Sequence, residues 1–151
     1  MTVTTKNFGE ITIEDDKIIK FPSGIIGFPD LTDFALLHDA DKGVGGIHWL
    51  QSMQEPAFAM PVMDPLTVKE DYNPEVDDEI LKPLGELNPE ETLVMVTVTV
   101  PSDLTKMTVN LRGPIIINAL TKKAAQVIIE DNSLQVRFPI YEILKAKKGG
   151  E

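Results

Sequence analysis

Short apolar runs broken by turn residues recur from one end of this chain to the other, and helical periodicity is confined to its last stretch. That pattern predicts a mainly β, largely antiparallel domain. Glu10 to Glu14 alternates apolar and polar residues, Asp15-Asp16 supplies a turn and Lys17 to Phe21 returns. A hairpin forming one unit from Phe8 to Phe21 is therefore expected. Pro22 to Gly27 reads as a loop, Pro29 to Phe34 as one helical turn and Ala35-Leu36-Leu37 as a strand. Gly43 to Gly46 marks a turn before Ile47 to Ser52, where Ile47, Trp49 and Gln51 share one face, with Trp49 expected in the core. Phe58 to Met63 reads as a strand, but Pro61 lacks a ladder donor and places it at an edge or a bulge.

From Glu70 to Glu91 the composition turns acidic, with Lys82 the one base after Asp71. Within it Asp77 to Leu84 predicts a short helix with Ile80, Leu81 and Leu84 inward, its acidic start complementing the helix dipole. Leu93 to Val100 is apolar on both faces and is expected to be a central, doubly covered strand. Met107 to Leu111, Ile115 to Asn118 and Gln126 to Ile129 complete the β set, with Thr121-Lys122-Lys123 as a turn. Pro139 starts a terminal helix with Ile140, Ile143 and Leu144 on one face. The expected architecture is a small antiparallel β-barrel-like single domain over 1–151. Its core is about 7–138, with short helices and a C-terminal amphipathic segment at 139–151.

Length and charge narrow the function. At 151 residues the chain is long enough for one core, and no apolar run approaches the ~20 residues of a membrane span. The N-terminus lacks the apolar core of a secretory signal, so a cytoplasmic location is expected. There are no cysteines, which excludes disulfides, thiolate metal sites and a cysteine nucleophile. Twenty-four acidic against fourteen basic residues give a net charge of −10, which repels nucleic acid and either favours basic partners or only keeps the domain soluble. His38 and His48 lack zinc-site spacing, and no phosphate loop, dinucleotide fingerprint or nucleophile elbow occurs. No cofactor is expected, and the chain reads as a binding module with no enzymatic activity.

The most particular stretch is Met107 to Asn118, two strand-like runs broken by Arg112-Gly113-Pro114. Gly113 is expected to supply a turn geometry barred to other residues. Asn110, Asn118 and Gln126 read as hydrogen-bond locks, and Arg112 either caps carbonyls or clamps a partner carboxylate. Together with Phe8-Gly9-Glu10, Phe21-Pro22-Ser23-Gly24-Ile25-Ile26-Gly27-Phe28, Trp49-Leu50-Gln51-Ser52 and Met63-Asp64-Pro65, this stretch resembles the flagellar assembly factor FliW family over residues 7 to about 138. One departure is Lys122-Lys123-Ala124-Ala125, where the family often carries a glycine-containing turn.

The resemblance implies two protein partners. Members of the family bind the translational repressor CsrA and keep it from the flagellin message, and free flagellin competes for the same factor. The candidate partner surface comprises the acidic Asp77, Asp78 and Glu79, the Asn110 and Arg112 pair, and Ile140, Tyr141 and Leu144 of the terminal helix. An apolar patch around Phe28, Leu31 and Phe34 is the expected flagellin contact, with the terminal helix as the other option. Two alternatives stand beside this reading. One is a barrel that binds or transforms a small molecule through Asp64, Arg112 and Asn118; the other reads RNA directly, against the acidity of the chain.

Overall fold

The computed structural model describes residues 2–6, 8–37, 47–74, 76 and 78–149. The turn expected at Gly43 to Gly46, His38 and Asp77 lie outside the described residues.

Polar, β-branched Thr2–Thr5 (β1) and Gly9–Thr12 (β2) pair antiparallel, with Thr2 opposite Thr12 and Thr5 opposite Gly9. This corrects the first hairpin. Asp15–Lys17 closes a 3₁₀ turn, so Ile19–Lys20 (β3) leaves β2 and joins the main sheet. The threonine-rich start lacked the apolar alternation that marks a strand.

The main sheet continues through Asp33–Leu37 (β4), Ile47–Ser52 (β5), Ala59–Met63 (β6), Thr92–Thr99 (β7), Thr108–Val109 (β8), Ile115–Asn118 (β9), Lys123–Gln126 (β10) and Phe138–Pro139 (β11). Its nine strands run β11-β8-β7-β6-β5-β4-β3-β10-β9, and β9 pairs back onto β7. The sheet thus closes on itself, which removes most free edges. Every pairing in it is antiparallel except the parallel contact of β10 with β3 at Lys123 and Lys20.

Several expected elements are shifted or replaced. Pro29 to Phe34 makes no helical turn, because Asp33 and Phe34 already belong to β4 and the Thr32 and Asp33 amides donate to Gln54 Oε1. Trp49 is half-buried rather than central: Leu50, Gln51 and Ser52 are the fully buried residues of the strand, and Trp49 meets the ring of Phe8 edge-on at 5.8 Å. Pro61 lies opposite Trp49, just before β6 begins to pair with β7 at Val62, so its missing donor falls on a local edge. The strand expected at Gln126 to Ile129 sits three residues earlier as β10, and Lys123 belongs to it rather than to the preceding turn.

The acidic helix forms as Asp78–Leu81 (α1) followed by a 3₁₀ turn at Lys82–Leu84. Leu84 is fully buried, but Ile80 is exposed, because Pro83 ends the helix before a full inward stripe can form. Leu93 is likewise exposed, so β7 is central in the sheet without being covered on both faces. The terminal helix, Tyr141–Gly149 (α2), starts two residues after Pro139, which ends β11. The described residues form three core clusters. Phe21, Phe34, Leu50, Val62, Ile115 and Ile117 fill the first; Tyr72, Val96, Met107, Leu111 and Ile140 the second; Leu84, Ile116, Val127 and Ile129 the third.

Candidate partner-binding surface

The Arg112-Gly113-Pro114 break separates β8 from β9 along one partner, β7. Val98 faces Val109 and Met95 faces Ile115, so residues beyond the two-strand register bulge between them. Pro114 needs no ladder donor there. Gly113 has no positive φ, which corrects the expected turn geometry. A side chain at that position would start 3.1 Å from Asn110 Nδ2 and 3.4 Å from Gln126 Nε2, so glycine serves close approach. Asn110 Oδ1 accepts the Arg112 amide at 2.9 Å, and Gln126 Nε2 donates to Gly113 O at 3.2 Å. Gln126 Oε1 accepts the Ile26 amide at 3.1 Å, tying the break to the turn around Ile26.

Arg112 is half-buried and its Nε donates to Ile129 O at 3.2 Å, the carbonyl-capping role. Asp131 nearby is held below the usual carboxylate range, first by hydrogen bonds from Ser133 and lastly by the Arg112 charge. Asn118 is the tightest lock. Buried in β9, it donates from Nδ2 to Leu84 O at 2.8 Å and Glu86 O at 3.0 Å, and its Oδ1 accepts the Leu120 and Thr121 amides. It thereby fastens the acidic segment to the β9–β10 turn.

Tyr72 does the same from the other end, and sequence reasoning missed it. Its ring is buried in the second core and its hydroxyl donates to Leu111 O at 2.6 Å. Burial pushes its hydroxyl up to about 12. Tyr72 also lines a groove of about 300 Å³ floored by Met95 and Ile116 and rimmed by Asp64, Leu66, Asn73 and Leu93. Leu66 and Leu93 are both exposed at this rim. The only advance signal for Tyr72 was a lone aromatic in an acidic stretch.

The expected site residues fall on different parts of this frame. Phe28 is exposed and Leu31 half-buried, but Phe34 is fully buried in the first core and presents no surface. Ile140 is fully buried in the second core, which removes it from any contact surface too. Ile143 and Leu144 pack partly buried against that core, so the apolar face of α2 is spent on the barrel. Tyr141 is half-buried beneath Lys145, whose Nζ lies 6.0 Å from the ring centroid. Glu79 pairs with Lys82 at 2.9 Å, and Asp71 with Lys69 at 3.0 Å. Asp78 opens α1.

Asp64, Arg112 and Asn118 do not converge. Asp64 caps the Leu66 amide, while Arg112 and Asn118 bond separate backbone carbonyls and line neither this groove nor the more polar one beside Lys69 and Asp131. Among the described residues no three histidine, aspartate or glutamate side chains gather as a metal would require.

A family model described as FliW protein matches residues 2–140. The chain belongs to the FliW family. The flagellar assembly factor FliW of Lachnospira eligens is 48% identical over 150 residues, covering 98% of this chain and 99% of that protein. Its counterpart in Lachnoclostridium phytofermentans is 47% identical over 143 residues, covering 94% and 92%. A crystal structure of the flagellar assembly factor FliW superposes with a TM-score of 0.85 at 27% identity, covering 93% of this chain and 97% of that one. The FliW match accords with the mainly β, ring-closing fold, and no helix among the described residues is long and apolar enough to cross a membrane.

Proposed function

We propose that this chain is a cytoplasmic, non-enzymatic flagellar assembly factor that switches between CsrA and flagellin. Bound to CsrA, it frees the flagellin message for translation. As flagellin accumulates it occupies the chain, CsrA is released and translation falls; export of flagellin reverses the balance. Membership of the FliW family across residues 2–140 carries this reading.

The surface chemistry supports it. A net charge of −10 favours a basic partner and repels RNA approaching that partner. The groove rimmed by Leu66 and Leu93 carries Asp64 on its lining, and Tyr72, Asn73, Pro74 and Val76 of the acidic Glu70 to Glu91 segment complete its wall. Charge around an apolar floor suits a basic protein surface with a protruding aliphatic side chain, and we assign CsrA to this side. Asn110 and Arg112 hold the Arg112-Gly113-Pro114 break, and Ile143 and Leu144 hold α2 to the barrel.

The test is an RNA-retention assay with CsrA and the flagellin leader. Adding this protein should release the RNA, and purified flagellin should restore the CsrA–RNA complex. RNA that stays on CsrA at saturating amounts of this protein would refute the switch.

A further inference from the structure

The Ile25–Phe28 turn breaks the usual rule that surface turns are polar. Ile26 is 48% exposed and Phe28 49%, yet the turn is fixed from several directions. Ile25 and Phe28 exchange backbone hydrogen bonds, 3.2 Å from the Ile25 amide to Phe28 O and 2.7 Å in return. Gly27 has a φ of 89°, and Gly24, at 71°, has no room for a side chain because Pro29 O would lie 2.5 Å from its Cβ. The ring of Phe28 meets Phe58 edge-on at 4.9 Å, and Phe58 in turn meets the buried Phe34. Gln126 Oε1 holds the Ile26 amide from the far side.

Large apolar side chains on a rigid turn lose little conformational freedom on binding, as a contact hot spot requires. The charge beside them is acidic. Asp30 and Glu55 are exposed, Glu55 O receives the Phe58 amide, and Lys20 is neutralised by Asp33 at 2.7 Å. The turn packs on the first core, whereas the acidic groove is built mainly on the second and third.

We propose that the Ile25–Phe28 turn is a docking knob for a partner segment that offers an apolar hollow rimmed by lysine or arginine. Resting on the partner pair above, it is the flagellin contact; its residues differ from those on the CsrA side, and the bulk of a bound flagellin chain keeps CsrA off the protein. Ile26 and Phe28 enter the hollow, Asp30 and Glu55 meet its basic rim, and Gln126 holds the knob in position.

The test is calorimetric titration of the full chain with monomeric flagellin and, separately, with CsrA, using the wild type and the Ile26→Ser, Phe28→Ser and Asp30→Lys variants. Phe28→Ser loses its contact with Phe58, so thermal melts of each variant accompany the titrations, and Ile26→Ser carries the result if Phe28→Ser unfolds. Flagellin should bind each folded variant about tenfold more weakly or worse, with CsrA affinity unchanged within about twofold. Flagellin affinity within about twofold of wild type for Ile26→Ser overturns the knob, and so does an equal loss of both partners. If the wild type binds neither protein, the partner pair itself fails and the assignment of the turn falls with it.

Discussion

Replacing Asn118 by alanine isolates the lock that joins the acidic segment to the barrel. The side chain is 1% exposed and removes donations to Leu84 O and Glu86 O and acceptances from the Leu120 and Thr121 amides. At a net ~1 kcal/mol per bond the loss would reach about 4 kcal/mol. Leu84 O keeps the Thr121 hydroxyl at 2.9 Å, and the partly buried amides regain water, which brings the expectation to ~2–4 kcal/mol. With a urea slope of ~2 kcal/mol/M, the unfolding midpoint should fall by about 1–2 M with the slope unchanged. Asn118→Asp should be no better: it keeps both acceptances but sets a carboxylate against two carbonyl oxygens. Amide exchange at Leu120 and Thr121 should quicken in both variants. A midpoint within about 0.3 M of wild type, with those amides still protected, would show that the lock carries no weight.

Tyr72, raised to about 12 by burial, predicts an alkaline weakening of the fold. The unfolded hydroxyl ionises near pH 10 while the folded one stays neutral, so stability falls as pH rises from about 10 to 12, by at most ~2.7 kcal/mol and less with solvent screening in the groove. Tyr72→Phe should remove that slope in pH-dependent urea unfolding while losing ~1–2 kcal/mol at neutral pH, where Leu111 O is left without its donor; an unchanged alkaline slope would contradict this. Lys122 is held at a φ of 59°, so Lys122→Gly should raise stability by about 0.5–1 kcal/mol, read as a higher melting temperature, and a lower one would mean the Lys122 Nζ contact with Ala119 O outweighs the backbone strain. CsrA affinity should weaken as salt rises from low to physiological ionic strength, and a flat salt profile would remove charge attraction from the account.

What the sequence made legible follows from how local each signal was. The β9 run, the β7 run and the short acidic helix are strong local patterns, and each formed within a residue or two of its expected place. The Asn118 and Gln126 locks were readable because an amide inside an apolar run has few other ways to exist. The first hairpin was misread because Thr2 to Thr5 declares itself a strand only by pairing with Gly9 to Thr12. Trp49 was placed in the core because its alternation cannot say which face of β5 the N-terminal hairpin half covers. Phe34 and Ile140 carry no local mark of burial, since exposure is a tertiary property; each ends inside a core. Gly113 stands out in the sequence, but its reason is crowding by Asn110 and Gln126, and Gln126 reaches it from another strand, which no local pattern shows. The Ile25–Phe28 turn depends on Phe58 and Gln126, which no spacing within residues 22–28 could reveal.

The central claim is an exchange of partners, and size-exclusion chromatography of this protein mixed with CsrA, repeated after addition of monomeric flagellin, tests it most directly. The account predicts co-elution with CsrA that flagellin abolishes, with the protein moving into a flagellin-containing peak. Separate elution from both partners, or a CsrA complex untouched by excess flagellin, would contradict it.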